Sequence, residues 1–350
     1  MLLKPLPMKR EDILVGLEKN EEGSLVCTDE EMLNAQKGVL PNVAKQLAVN
    51  LLKGLSISHI SLPIKIFEAR SSIQRIVDFW SAAPAYLNAA ADCKDPVERL
   101  SNVIAFSLSS LILCCSQNKP FNPLLGETNQ GSFADGTRYY CEHTSHHPPI
   151  THFLLEGPNK KFRMHGYYEF IGKMGKNSLT SGLRGPNTIE FADGTKIRFN
   201  APDFRLGGTM MGDRTIEGVG TIVYEDLKNL VKAVCILGTF EKGGFFSSKK
   251  AAGSKTDLTG VIYKMKPDKA KDTPFGKNQS LPTDLNKLSD LKTKLADFSG
   301  NYLQILTING TTYWDFDTQE ITRQIPQTIT EKDKQGISLP YLATCSKMLL

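Results

Sequence analysis

The chain has 350 residues, of which 40% are hydrophobic and 23% charged, and its formal net charge at pH 7 is +5. This composition is ordinary for a soluble globular protein, and the length provides for one large domain or two smaller ones with a sizeable core. The mild positive charge favours contact with an anionic surface, whereas nucleic-acid binding requires a stronger and more clustered charge. We therefore expect no nucleic-acid partner.

The seven cysteines are odd in number and form no Cys-x-x-Cys pair, so we expect free thiols in the reducing cytosol. The N-terminus lacks the sustained apolar region of a signal peptide. The longest apolar stretch, residues 103–115, is shorter than the roughly 20 residues that a membrane-spanning helix requires. These features predict a soluble protein whose contacts with membranes are peripheral.

The N-terminal part of the chain contains a charged segment followed by an amphipathic one. Residues 1–38 include the runs KRED and EKNEEG and are predicted to be loosely ordered. In the next segment, 39–56, the apolar residues Val43, Leu47 and Leu51 recur at helical spacing between a proline and a glycine. Two roles are open for this short helix: it packs on the core, or it forms a movable lid over an apolar site.

A helical section is predicted over residues 71–116. Ser71 is followed three residues later by Gln74, which is a capping-box pattern. Asp95 and Pro96 have the residue types favoured at a helix cap and first turn. The second helix continues through the apolar stretch, and because it is apolar on most sides we expect it to be buried.

Strand patterns follow over about 130–315. The sequence FADGT occurs at 133–137 and again at 191–195, and Asp-Gly between alternating segments predicts a hairpin, as does Asn-Gly at 309–310. Residues 266–296 are polar and rich in lysine and are predicted to form a surface loop. Alternation without βαβ spacing predicts a mainly β, α+β fold in which an antiparallel sheet curls into a barrel with room for an apolar ligand.

The most unusual segment is EHTSHHPPI at 142–150, in which His146 and His147 precede two prolines and His143 and His152 lie nearby. A metal site is disfavoured because adjacent strand residues face opposite ways. A second interpretation is that the histidines lie in an exposed loop and have no role. The third is a phosphate site: histidine titrates near pH 6.5, and a phosphate monoester carries roughly −1.5 to −2 charges at pH 7. It requires that the prolines let both rings converge.

The segment KPFNPLLGET at 119–128 follows the apolar helix and is rigid and irregular. Lys119 supplies a cation and Asn122 an amide donor, although the segment alone is also compatible with a simple helix-to-strand connection. The sequence contains no G-x-S-x-G, H-E-x-x-H or phosphate-loop signature. We therefore expect no catalytic residue, no metal and no cofactor.

Together these segments resemble the lipid-transfer domain of the oxysterol-binding protein family. KPFNPLLGET is similar to the family's basic, proline-anchored segment, and EHTSHHPPI to its signature E-Q-V-S-H-H-P-P. LPIKIFEARSSIQR, at 62–75, is similar to the segment that leads into the family's first core helix. The resemblance covers roughly residues 40–340. It implies a large incomplete antiparallel β-barrel around an apolar lipid tunnel, with an N-terminal lid and a helical section.

The resemblance also implies ligands and residue roles. Lys119, Asn122, His146 and His147 match the residues that bind the phosphate of phosphatidylinositol 4-phosphate, while the acyl chains fill the barrel. We expect a monomeric cytosolic protein that exchanges this lipid for a sterol or phosphatidylserine at anionic membranes or membrane contact sites. A lipid-responsive regulator that binds without transporting is the alternative, and the missing nucleophile elbow makes an esterase remote.

The resemblance ends before the C-terminus. We expect a lipid-binding domain over 39–340 and a divergent tail over 341–350, where YLATCSKMLL replaces the charged helical region found in family members. That region supplies further headgroup residues in the family, so the resemblance implies that part of the headgroup site differs here. The segment before residue 40 is too short for a pleckstrin homology domain.

Overall fold

The computed structural model describes residues 7–39, 42, 46, 63–238, 253–318, 321–322 and 327–328. The predicted lid residues Val43, Leu47 and Leu51 lie outside the described residues, as does the tail 341–350.

Five α-helices are described, and most of the helical section lies between residues 72 and 114, as predicted. The helices are α1 (Arg10–Ile13), α2 (Glu30–Gln36), α3 (Ser72–Arg75), α4 (Ala83–Asp92) and α5 (Pro96–Ser109), and 3₁₀ turns occupy Ile64–Ile66, Ile76–Trp80, Leu111–Cys114, Pro158–Lys160, Pro267–Lys269 and Leu285–Lys287. The predicted caps are present: Gln74 Oε1 accepts from the backbone N–H of Ser71, and the Asp95 side chain accepts from two backbone N–H groups of α5.

The α5 helix is the centre of the helical section. Together with its 3₁₀ extension it spans Pro96–Cys114, which by length and composition alone is sufficient to cross a membrane. However, 67% of its most apolar window is buried inside the protein, and Leu100, Ile104 and Leu108 are fully buried. The helix contacts α4 and the sheet, so it is a core helix, as its composition predicted.

Strand residues outnumber helical residues in the part of the chain that the structure describes. The strands are β1 (Pro7–Met8), β2 (Leu17–Lys19), β3 (Leu25–Cys27), β4 (Phe67–Ser71), β5 (Lys119–Phe121), β6 (Thr128–Ser132), β7 (Arg138–His146), β8 (Pro149–Glu156), β9 (Phe162–Met174), β10 (Ser178–Arg184), β11 (Asn187–Phe191), β12 (Lys196–Phe199), β13 (Asp203–Gly207), β14 (Thr215–Asp226), β15 (Val231–Leu237), β16 (Asp257–Met265), β17 (Leu291–Asn301), β18 (Ile305–Ile308), β19 (Thr311–Asp315), β20 (Ile321–Thr322) and β21 (Gln327–Thr328).

The main sheet is antiparallel and curls into a barrel, which confirms the predicted fold class. Strands β6, β7, β8 and β9 follow one another, and β9 then pairs with β10 along one half and with β11 along the other. Strand β14 pairs with β13 and β12, which completes a closed circuit, and the sheet continues through β15 to β19. Strand β6 also pairs with β21, and among the described residues β19 pairs with β18 alone.

The three predicted hairpins are present. The two FADGT segments connect β6 to β7 and β11 to β12, with Gly136 and Gly194 at φ +90° and +78°. Asn309 and Gly310 form a two-residue connection between β18 and β19, and both have positive φ, as a type I′ turn requires. Glycine suits these positions because it has no Cβ, and asparagine tolerates them because its short polar side chain can bond to the local backbone.

The N-terminal segment differs from the prediction of loose order. Strand β3 pairs with both β2 and β14, with Leu25 opposite Ile216. Leu25 is 1% exposed, and the Ser24 hydroxyl donates to the buried Glu217 carboxylate at 2.7 Å. The prediction was wrong here because the apolar pattern in β3 is only three residues long and its pairing partner lies far along the chain.

The predicted surface loop 266–296 also ends earlier than expected, because β17 begins at Leu291. Most of the first five side chains of β17 are exposed, so a strand there has the polar composition of a loop. The rest of the segment covers the outer face of β14–β16, where Leu281, Leu285 and Leu288 pack on a small apolar cluster around Tyr263. The loop therefore shields one outer face of the barrel.

Candidate functional site

A cavity of about 1460 Å³ lies between the barrel strands and the helical section. Its wall is largely apolar and includes Trp80, Phe106, Met164, Phe199, Ile216 and Ile222. Pockets for drug-sized molecules measure roughly 300–1,000 Å³. The volume and the apolar wall suit a larger apolar ligand such as a lipid.

The four predicted headgroup residues, Lys119, Asn122, His146 and His147, all line this cavity. They come from two separate segments, the β5 region and the end of β7. His147 and Asn122 are exposed, so this part of the wall meets solvent. The fold therefore brings together at one accessible end of the cavity the four residues that the sequence motifs singled out.

Lys119 is held in place by neutral groups. Its ammonium group donates to Asn122 Oδ1 at 2.7 Å and to the carbonyl oxygen of Pro120 at 3.1 Å, and it lies 4.9 Å from the centre of the Phe67 ring. Burial lowers the pKa of Lys119 to about 8. Because its described partners are neutral, the positive charge remains available to an anion.

The two histidine rings converge on the cavity although the residues are adjacent. Their ring centroids are 4.9 Å apart. The β7–β8 register shifts between His143 and Ser145, and β7 ends at His146, so regular strand alternation does not extend to His147. The His147–Pro148 peptide bond is cis. The bulged backbone at the end of β7 thus allows both rings to lie on the cavity wall.

His143, to which sequence analysis assigned no role, contacts the histidine pair through the ring of His146. It is fully buried, and its ring nitrogens lie 3.1 Å from Thr151 Oγ1 and 3.3 Å from His146 Nδ1. Burial, together with the neighbouring His146, lowers the pKa of His143. A neutral His143 has one donor and one acceptor nitrogen, so it orients the His146 ring while the Nε2 of His146 stays free for a ligand.

A second polar group on the cavity wall was not recognised from sequence. Gln36, Gln117, Asn118 and Arg214 line the same cavity. Gln36 accepts from Arg214 Nη1 and donates to Asn118 Oδ1, both at 3.2 Å. Gln36 and Arg214 are far apart in the chain, so no local motif indicates their contact.

Exposed apolar side chains lie next to cavity-lining residues in two places. Met210 and Met211 are 51% and 76% exposed, and Asn177 binds their backbone: Oδ1 accepts from both N–H groups, and Nδ2 donates to the carbonyl of Met211. Leu124 and Leu125 are 66% and 68% exposed just after Asn122. Apolar side chains presented in this way are typical of contact surfaces.

Within the described ranges, no group of three or more histidine, cysteine, aspartate or glutamate side chains is arranged to hold a metal ion. The six cysteines described there are free thiols.

Comparison with known proteins gives consistent matches. The sequence model of the family described as oxysterol-binding protein matches residues 47–315. Oxysterol-binding protein 9 of Dictyostelium discoideum is 33% identical over 320 residues, covering 91% of this chain and 70% of that protein. Human oxysterol-binding protein-related protein 2 is 35% identical over 201 residues, covering 56% of this chain and 41% of that protein.

Two solved structures share the fold. The Osh3 ORD of Saccharomyces cerevisiae, solved with PI(4)P, matches with a TM-score of 0.57 and 23% identity, covering 78% of this chain and 64% of that one. The Osh1 ORD domain, solved with ergosterol, matches with a TM-score of 0.56 and 21% identity, covering 78% and 56%. The chain thus spans less than two thirds of either solved chain. The family model covers most of the sequence, and the protein belongs to the oxysterol-binding protein family.

Proposed function

We propose that the protein binds phosphatidylinositol 4-phosphate and exchanges it for a second lipid between membranes. The observation that carries this proposal is the meeting of Lys119, Asn122, His146 and His147 at the accessible end of an apolar cavity of about 1460 Å³. A phosphorylated lipid matches this arrangement, because its charged head corresponds to the polar end of the cavity and its apolar body to the apolar wall. The structural similarity to an Osh3 domain solved with PI(4)P supports this ligand class.

In the proposed complex the 4-phosphate lies among the four polar residues. Lys119 contributes a positive charge, and the amide nitrogen of Asn122 donates, since the carbonyl oxygen of that amide already accepts from Lys119. The histidine rings donate to phosphate oxygens. Charge-assisted hydrogen bonds of this kind are about twice as strong as neutral ones.

The second lipid is a sterol or phosphatidylserine. The similarity to the Osh1 domain, which was solved with ergosterol and with cholesterol, supports the sterol. We further propose that the protein acts as a cytosolic monomer that contacts anionic membranes through the exposed apolar residues beside the cavity. The segment containing Val43, Leu47 and Leu51 is proposed as the lid.

The experiment is lipid transfer between two vesicle populations. Donor vesicles contain labelled phosphatidylinositol 4-phosphate, acceptor vesicles contain cholesterol or phosphatidylserine, and both lipids are followed in time. Transport predicts movement of phosphatidylinositol 4-phosphate that accelerates when the second lipid is present in the acceptor. Binding without movement would favour the lipid-responsive regulator instead, and the absence of binding would reject both.

A further inference from the structure

The segment 270–284, between β16 and β17, is attached to the outside of the barrel at few points. It contains no helix or strand. Among the described residues its backbone-to-backbone hydrogen bonds span only three positions of sequence, as from Gln279 to Gly276. Near its far end, the Thr221 hydroxyl on β14 donates to the carbonyl oxygen of Pro282 at 2.6 Å. Side chains rather than strand pairing therefore hold the segment in place.

The main polar attachment is the contact between Thr273 and Glu225. The Thr273 hydroxyl donates to Glu225 Oε2 at 2.6 Å, and the Thr273 backbone N–H donates to Oε1 and Oε2 at 3.0 and 3.2 Å. Glu225 lies on β14, is 1% exposed, and also accepts from Arg198 at 2.9 Å. Burial raises the pKa of Glu225, so its charged form depends on these donors.

The residues that follow Thr273 cover two parts of the barrel. Phe275 is 4% exposed and belongs to the apolar cluster around Tyr263 on the outer face, and the Arg198 guanidinium lies 5.3 Å from the centre of its ring. Lys277 lines the lipid cavity and lies 3.7 Å from Glu169. Loss of the Thr273 contact would therefore uncover apolar surface and alter one border of the cavity.

The sequence at this attachment is unusual for the chain. Thr273 is followed by Pro274, and this is the only place in the 350 residues where serine or threonine precedes proline. Proline directly after the hydroxyl residue is what proline-directed protein kinases recognise, and it favours extended backbone at the residue before it. Asp272 and Pro274 are both exposed, and Thr273 is half-buried between them. The dipeptide thus lies at the surface although its hydroxyl bonds inward.

We propose that Thr273 is a phosphorylation site for a proline-directed protein kinase, and that its phosphate releases segment 270–284 from the barrel. The Thr273 hydroxyl oxygen attacks the γ-phosphorus of ATP. The new oxygen–phosphorus bond forms as the bond from the γ-phosphorus to the bridging oxygen of the β-phosphate breaks. ADP leaves with that oxygen, and the hydroxyl proton passes to the catalytic aspartate of the kinase.

The modified threonine cannot return to its place beside Glu225. Its oxygen has no proton left to donate, and the phosphate carries roughly −1.5 to −2 charges at pH 7. Glu225 is a buried carboxylate, so a second negative charge within hydrogen-bonding distance is repelled. The hydroxyl must leave Glu225 before it can react, so phosphorylation traps the segment in its detached position.

The first test measures phosphate incorporation. The full chain is incubated with ATP and a purified proline-directed kinase, and tandem mass spectrometry locates the phosphate. We expect modification at Thr273, and at least a tenfold loss of it in Pro274→Ala, which keeps the hydroxyl. A synthetic peptide of residues 266–282 serves as the kinase control. Modification of the peptide but not of the full chain would show that the folded site is closed and would overturn the proposal, as would failure of both.

The second test measures release by hydrogen exchange with mass spectrometry. Phosphorylation of the full chain should speed exchange of the amides in 270–284 at least tenfold and leave β15 and β16 unchanged. Equal exchange before and after modification would show that the phosphate is accommodated in place, which contradicts release. In Glu225→Gln the phosphate meets a neutral amide that can donate to it, so the increase should be smaller. An increase as large as in the parent would exclude repulsion by Glu225 as the cause.

Two substitutions separate the position of the charge from its presence. Thr273→Glu places a permanent carboxylate beside Glu225, whereas Thr283→Glu adds the same charge at an exposed position of the same segment. Phosphate incorporation and hydrogen exchange are both measured without lipid, so these results do not depend on the proposed lipid transfer. We expect faster exchange of 270–284 in Thr273→Glu alone. Equal exchange in the two variants would reject a specific role for position 273.

Discussion

Lys119 is a partly buried cation whose charge changes within an accessible pH range. Burial lowers its pKa to about 8, so in the free protein it loses its proton as pH rises through about 8. A bound phosphate favours the charged form and raises this pKa, which couples binding to proton uptake. Affinity for an anionic headgroup should therefore be retained below pH 8 and fall above it.

This gives a pH prediction. Extraction of phosphatidylinositol 4-phosphate should decline between about pH 7.5 and 9.5 because Lys119 deprotonates. Lys119→Arg should flatten the profile, since a guanidinium stays charged throughout this range. Cholesterol extraction, measured in parallel, serves as the control and should not follow the same curve. A parent profile without any decline would show that Lys119 does not contribute its charge to the ligand.

The histidine pair gives a second residue-scale prediction. His146→Ala with His147→Ala removes two donors to the phosphate, and hydrogen bonds to charged groups contribute about 1.5–3 kcal/mol each. We expect extraction of phosphatidylinositol 4-phosphate to fall at least tenfold at an unchanged melting temperature. His152→Ala is the matched control, because His152 lies on the same hairpin but is not part of the cavity wall. Parent-like extraction by the double variant would reject the assignment.

At the scale of single elements, β3 contributes more to the fold than its length indicates. Leu25→Ala removes a side chain that is 1% exposed in the main core, and such truncations cost about 2–5 kcal/mol. The melting temperature should fall by several degrees, whereas Val15→Ala, at a position that is 78% exposed, should leave it unchanged. If both variants melt like the parent, the N-terminal strands are dispensable and the original expectation of loose order was right.

Local chemistry explains which elements the sequence could predict. The caps at Ser71 and Asp95 and the turn at Asn309 depend on residues within a few positions of one another, and all are present. Strand β3 was missed because its identity comes from pairing with β14, and the start of β17 was assigned to a loop because its side chains are exposed. Such strands are defined by their partners rather than by their own sequence.

The same distinction applies to the site. His146 and His147 lie in one short motif, and Lys119 lies in another. Both segments can therefore be recognised from the sequence, and the fold shows that they line the same cavity. Arg214 meets Gln36 across 178 positions of sequence, and neither residue lies in a recognisable pattern. A site that is assembled from such separated residues becomes visible only when the fold is built.

At the scale of the whole molecule, the proposed contact with a bilayer can be tested at the exposed apolar residues beside the cavity. Met210→Ser with Met211→Ser should weaken binding to anionic vesicles several-fold and slow transfer, because burying an apolar side chain contributes about 1.5–3 kcal/mol. Lipid already in the cavity should be retained, since neither side chain lines it. Vesicle flotation measures binding, and Val15→Ser provides an exposed apolar control away from the cavity. Unimpaired flotation would exclude this surface.

The pairing of β3 with β14 also affects the order in which the protein matures on the ribosome. Ile216 lies about 190 residues after its partner Leu25, and at synthesis rates of roughly 5–20 residues per second this interval corresponds to about 10–40 s. Adjacent hairpins such as β6–β7 have both strands available almost at once. During translation Leu25 thus stays without its partner on β14 until Ile216 has been made. Strand β3 is therefore synthesised long before the strand to which it pairs in the barrel.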